Sequence, residues 1–145
     1  MNPLIVPGNL DSLSAIRHYV AAAAAQVGLD KKVAYRVQLA VDEIATNIIV
    51  HGYEQSGKKG KVKVKADITQ TSLTIMLEDS SAPFDPRRFE PPDHITKPIK
   101  ERPIGGLGVF LAIGNVDKFD YEYVNKRNRN IFIINLPSNN VSMPR

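Results

Sequence analysis

Glu43, Asn47 and His51 are spaced by four residues. On a helix this puts all three on one face, and at 100° per residue that face borders the apolar stripe of Val37, Val41, Ile44 and Ile48 instead of opposing it. A boundary stripe whose polar heads reach water accounts for any one of them. Together they offer more: a carboxylate that can polarise a nucleophile, and one turn on an amide oxygen that can join the shell of a magnesium ion. A second candidate is Asp79, which follows the alternating apolar residues Leu73, Ile75 and Leu77. Aspartate at a strand end often does no more than shape a turn. Its functional alternative is a fixed acceptor for an exocyclic amine. The third candidate is Gly105-Gly106-Leu107-Gly108 at a helix start, where glycines free backbone N–H groups to approach a phosphate and the helix dipole adds positive potential. A plain turn explains such a run equally well, and its spacing fits neither the dinucleotide-binding nor the Walker pattern.

The elements that carry these residues can be read in order. Pro3 to Pro7 forms a short strand, and Asn9 or Asp11 caps a helix running to about Val27 and closed by Gly28. Asp30 caps a second helix, which contains Glu43 and Asn47 and ends at Gly52. Lys61 to Ile68 and Leu73 to Glu78 alternate with period two around Thr69-Gln70-Thr71-Ser72, the pattern of a hairpin. From Ser80 to Ile104 periodicity is lost and six prolines fall (Pro83, Pro86, Pro91, Pro92, Pro98 and Pro103), a length of irregular chain that is usually functional or mobile. A short third helix runs from the glycines to about Gly114. Phe119, Tyr121 and Tyr123 then alternate in one strand, Asn125 to Arg129 turns, and Ile131 to Leu136 returns. The tail, residues 137–145, is expected to fray. The predicted class is α+β: a two-layer sandwich with a mixed, mostly antiparallel sheet covered on one face by three helices.

Composition limits the rest. A chain of 145 residues with 43% hydrophobic and 23% charged residues is expected to form one domain, spanning residues 1–145, around one core. There is no cysteine, which excludes disulfides, thiolate metal sites and cysteine nucleophiles and fits a reducing compartment. No apolar run approaches the roughly 20 residues of a transmembrane helix. The start has no basic region followed by an apolar one, so a cytoplasmic protein without membrane contact is expected. The net charge of +4 raises nucleic acid as a partner, but Lys61, Lys63 and Lys65 alternate with Val62, Val64 and Ala66, the signature of a strand's solvent face. No aromatic residues interleave for bases to stack on, so no direct nucleic-acid binding is expected.

Taken together, the motifs carry a resemblance. Glu43-Ile44-Ala45-Thr46-Asn47 resembles the N box, Asp79 to Phe84 with Asp85-Pro86 the first glycine box, and Gly105-Gly106-Leu107-Gly108 the second glycine box of the ATPase superfamily shared by gyrase, histidine kinases and MutL, whose ATP-binding fold is the Bergerat type. Within it, Asn47-Ile48-Ile49-Val50-His51-Gly52-Tyr53 and Arg102-Pro103-Ile104-Gly105-Gly106-Leu107-Gly108 look most like the bacterial anti-sigma factor serine/threonine kinases, over nearly the whole chain.

The resemblance implies ATP and Mg²⁺ as cofactors. It makes Glu43 the general base toward the attacking hydroxyl, Asn47 the Mg²⁺ ligand and Asp79 the acceptor of the adenine amino group. Phe84, Gly105, Gly106, Leu107 and Gly108 fall among the nucleotide-contacting residues, and Ser80 to Ile104 becomes an ATP lid in which Lys97, Lys100 or Arg102 meets the γ-phosphate. It further implies a protein kinase that phosphorylates an anti-sigma-factor antagonist, sequesters a sigma factor and works as a homodimer. The rival readings are a nucleotide-responsive protein-binding module without phosphotransfer, and an ATP hydrolase. One departure stands out. The usual glycine two residues after the aspartate is Ser81 here, and since serine resists positive φ, the backbone beside the adenine is expected to sit differently and bind more weakly.

Overall fold

A computed structural model describes residues 1–88 and 106–137. Strand β1 (Leu4–Pro7) leads through a 3₁₀ turn (Leu10–Ser12) into helix α1 (Leu13–Gln26), then α2 (Lys31–Asn47) and a π-helical segment (Ile48–Glu54). The hairpin β2 (Lys61–Ile68) and β3 (Ser72–Asp79) follows, then a 3₁₀ turn (Pro86–Arg88), helix α3 (Gly106–Ile113) and the hairpin β4 (Lys118–Val124) and β5 (Arg127–Asn135). The five strands form one sheet in the order β1-β2-β3-β5-β4, and every pairing is antiparallel. This is the α+β sandwich that the hairpin spacing predicts.

Local signals set the helix boundaries. Gly28 takes φ +70°, while its N–H reaches the Ala25 carbonyl and the Leu29 N–H that of Ala24, a Schellman end to α1. Two residues on, Asp30 caps α2 through its carboxylate, which accepts the Val33 N–H at 2.9 Å.

The sheet is two-faced. Val62, Val64 and Ala66, with Leu73, Ile75 and Leu77 and with Phe132 and Ile134, are buried on the helix side, where they meet Val37, Ala40, Val41 and Ile44 of α2 and Ile16 and Val20 of α1. On the opposite face, register lines up Lys63, Glu78, Arg129 and Glu122 across four strands, with charges alternating in sign. The lysines of β2 thus belong to a solvent-side face.

Two local readings differ from expectation. The second helix does not stop at Gly52: the α-helical pattern ends at Asn47 and the chain continues as a wider π segment in which Gly52 is internal. The last turn is also shorter than Asn125 to Arg129. Asn125 and Lys126 alone, at φ 55° and 63°, make a two-residue hairpin loop whose positive φ angles match the strand twist. Strand β5 therefore begins at Arg127 and brings Asn128 and Asn130 into the ladder.

Of the segment read as a lid, residues 80–88 are held by side chains, with the N–H groups of Ser80, Ser81 and Phe84 donating to Tyr53, Asp79 and Asn128, and by the Arg88 N–H donating to the Asp85 carbonyl at 3.2 Å. Residues 89–105, with Lys97, Lys100, Arg102 and Gly105, lie outside the described residues, as do 138–145.

Candidate functional site

The inward-facing row of the sheet changes character at one end. Along β3 it runs Leu73, Ile75, Leu77, then Asp79, and along β5 it runs Ile134, Phe132, then Asn130 and Asn128. Register places Asp79 opposite Asn128 and Leu77 opposite Asn130, so three polar side chains, each 2% exposed, cluster where the apolar layer ends. Above them Asn47, Ile48, His51 and Gly52 come from the end of α2 and the π segment, and Ser81 to Phe84 close one side, leaving a cavity of about 130 Å³.

The cavity floor is a single hydrogen-bonded unit. Asp79 Oδ1 accepts from the Ser81 N–H at 2.9 Å, from Ser81 Oγ at 2.5 Å and from Asn128 Nδ2 at 3.1 Å. The same Asn128 amide reaches the carbonyls of Ser81 and Ala82, both at 3.1 Å. Its oxygen accepts the Phe84 N–H at 3.1 Å and the hydroxyl of Tyr121, which fixes the chain at Phe84. From outside, Tyr53 steadies the end of β3. Its buried hydroxyl accepts the Ser80 N–H at 2.8 Å and donates to the Lys61 carbonyl at 2.8 Å.

Two acceptors on this floor have no donor. Asp79 Oδ2 and Asn130 Oδ1 are buried and lack a hydrogen-bond partner among the described residues. Leaving such groups bare costs roughly 1–3 kcal/mol each, more when charged. Burial pushes the Asp79 carboxyl up, against the opposing hydrogen bonds from Ser81 and Asn128. A ligand edge with amine N–H groups satisfies both acceptors, whereas a carbonyl in the same place faces two lone pairs.

The other predicted residues are arranged around this cavity. Asn47 and Phe84 line it together with Asp79. Glu43 does not: it is exposed on α2, and its carboxylate lies against the start of α3, where a Cβ added to Gly108 would stand 3.0 Å from Glu43 Oε2. Gly106 and Leu107 open α3. His51 lines the cavity with Nδ1 2.7 Å from Gln55 Oε1. Among the described residues no group of three His, Asp or Glu side chains is placed to hold a metal.

Ser81 stays out of the positive-φ region, as expected of a serine, and its side chain joins the Asp79 hydrogen-bond shell. Asn128 and Asn130 are the residues that sequence reading missed, because Asn125 to Arg129 reads as turn and the last strand reads as starting only at Ile131. The shorter Asn125-Lys126 turn was the available signal.

Residues 6–134 match the histidine kinase-like ATPase domain. The serine-protein kinases RsbW of Bacillus thuringiensis (strain Al Hakam) and Bacillus cereus (strain 03BB102) are each 28% identical to this chain over 110 residues, covering 73% of it and 67% of the relative. The RsbW of Bacillus anthracis (strain A0248) is 27% identical over 109 residues, with the same coverage.

Proposed function

The chain belongs to the histidine kinase-like ATPase domain family, and from that premise we propose that it is an ATP-dependent serine/threonine protein kinase of the anti-sigma type. The observation that carries this reading is the pair of buried acceptors, Asp79 Oδ2 and Asn130 Oδ1, that have no donor among the described residues, on the floor of a cavity that Asn47 also lines. Adenine presents an amino donor at its 6 position, where a 6-oxo purine presents an acceptor. Relatives named serine-protein kinases add the direction of the chemistry.

In this reading Asp79 selects the base and Phe84 packs beside it. Asn47 presents its amide oxygen to Mg²⁺, which neutralises phosphate charge when bound. The N-terminal turn of α3 offers Gly106 and Gly108 N–H groups to the phosphates, and Gly108 is bare because Glu43 occupies the space a side chain would need. Glu43, exposed and outside the adenine cavity, is free to take the proton of a serine or threonine hydroxyl from a protein substrate. Positioning and charge neutralisation are most of what phosphoryl transfer requires. Arg102 and Gly105, by resemblance, complete the phosphate side. The substrate is an anti-sigma-factor antagonist, the sequestered partner a sigma factor, and the working form a cytoplasmic homodimer.

The test is radiolabel transfer from γ-labelled ATP to proteins co-purified from the source cell, with phosphoserine and phosphothreonine identified by mass spectrometry. Labelled hydroxyl residues on a partner support the kinase reading. Nucleotide-dependent partner binding with no label favours the binding module, and steady phosphate release without partner favours the hydrolase.

A further inference from the structure

Beyond the residues that the nucleotide reading employs, we propose that Ser81 is the positioning residue of the adenine cavity: its hydroxyl, wedged against Gly52, holds Asp79 Oδ1 so that Oδ2 is the oxygen left for the ligand. This rests on the nucleotide-binding reading above. A carboxylate rotates about its terminal torsion with a broad, two-fold profile. Here three donors converge on one oxygen, two of them from Ser81, and among the described residues the other oxygen receives none.

The N–H bond alone would be an ordinary aspartate turn, closing from residue 79 to residue 81. The hydroxyl bond is additional to it. Its 2.5 Å length is that of a charge-assisted O–H···O⁻ contact, so the single hydroxyl proton is committed to Asp79, and Ser81 Oγ is left as an acceptor for Asn128 Nδ2 at 3.4 Å. Ser81 is 4% exposed, and Gly52 provides the room: a Cβ on Gly52 would meet Ser81 Oγ at 2.8 Å. The serine therefore ties three elements together at the acceptor: the end of β3, the π segment and β5.

The experiment compares wild type with Ser81→Ala, which keeps the turn and the Cβ packing but removes the hydroxyl. Mg-ATP affinity is measured by calorimetry at a series of pH values from neutral downward, and the Asp79 carboxyl is titrated by ¹³C NMR in the nucleotide-free protein. Removing a donor to the ionised carboxylate raises its proton affinity. Ser81→Ala is expected to bind Mg-ATP about tenfold more weakly. Its affinity should begin to fall at higher pH than wild type, and its Asp79 titration should move upward. Ser81→Gly has more room beside Gly52 and must show the same upward shift, which keeps the test open if the alanine variant fails to fold. Unchanged affinity and unchanged Asp79 titration, in a wild type that binds Mg-ATP, overturn the role of Ser81 alone. A wild type that binds no adenine nucleotide overturns the nucleotide reading and the ligand-facing role together.

Discussion

Gly52 and Ser81 occupy one space: a Cβ placed on Gly52 would lie 2.8 Å from Ser81 Oγ and 2.9 Å from Ser81 Cβ. The π segment can pass this close to the end of β3 only because residue 52 has no side chain. The pair is coupled, and the coupling is measurable. Gly52→Ala should destabilise the fold by roughly 1–3 kcal/mol, the usual cost of overpacking. Adding Ser81→Gly should return much of that loss. Additive effects in a denaturant double-mutant cycle would show that the two residues do not share the space.

Asp79→Asn should separate stability from binding. Burial raises the folded-state pKa of Asp79 above its unfolded value, so the ionised group costs stability at neutral pH, and that cost disappears as pH falls through the folded pKa. The nucleotide-free variant should therefore melt higher than wild type at neutral pH, with the gap closing on acidification. ATP affinity should drop by roughly 1.5–3 kcal/mol, the worth of a hydrogen bond to a charged group. A thermal scan with and without Mg-ATP reads both, and a variant that ATP stabilises as strongly as wild type would falsify the adenine role.

Glu78, one residue earlier and on the other face, has the opposite sign. Burial alone would raise its carboxyl, but Arg129 Nε at 2.8 Å and Arg127 Nη1 at 3.2 Å, helped by Lys63, hold it below the usual range. Its contribution is present above the unfolded pKa and lost as pH falls through the folded one. Glu78→Gln should lower stability by about 1 kcal/mol at neutral pH, since its arginine partners are partly exposed. The difference should vanish in acid. Urea midpoints of the two proteins at neutral and acid pH check it.

Glu43→Gln preserves size and helix while removing the base. Phosphotransfer to the partner should fall about 10²- to 10⁴-fold. Mg-ATP affinity should stay near wild type, because Glu43 lies outside the cavity that Asp79, Asn47 and Phe84 line. Transfer at the normal rate would remove Glu43 from catalysis.

The chain's pattern by itself determined the strand and helix order, the buried stripe of α2, the solvent-side lysines of β2 and the place of Asp79 at the end of an apolar row. Each is local: a period of 3.6 or 2, a cap, or a glycine after a helix is written in neighbouring residues. The orientation of the Asp79 carboxylate was decided only by the tertiary structure. It depends on Asn128, 49 residues away, reaching register with Asp79, which happens because the last turn closes on two residues and starts β5 at Arg127. It depends as well on a helix that widens at Ile48 and carries the bare Gly52 past Ser81. Ser81, read alone, is a serine where a glycine was expected. Packed against Gly52 and bonded to Asp79 it is a donor, and contacts between residues distant in sequence leave no period or spacing along the chain from which to read them.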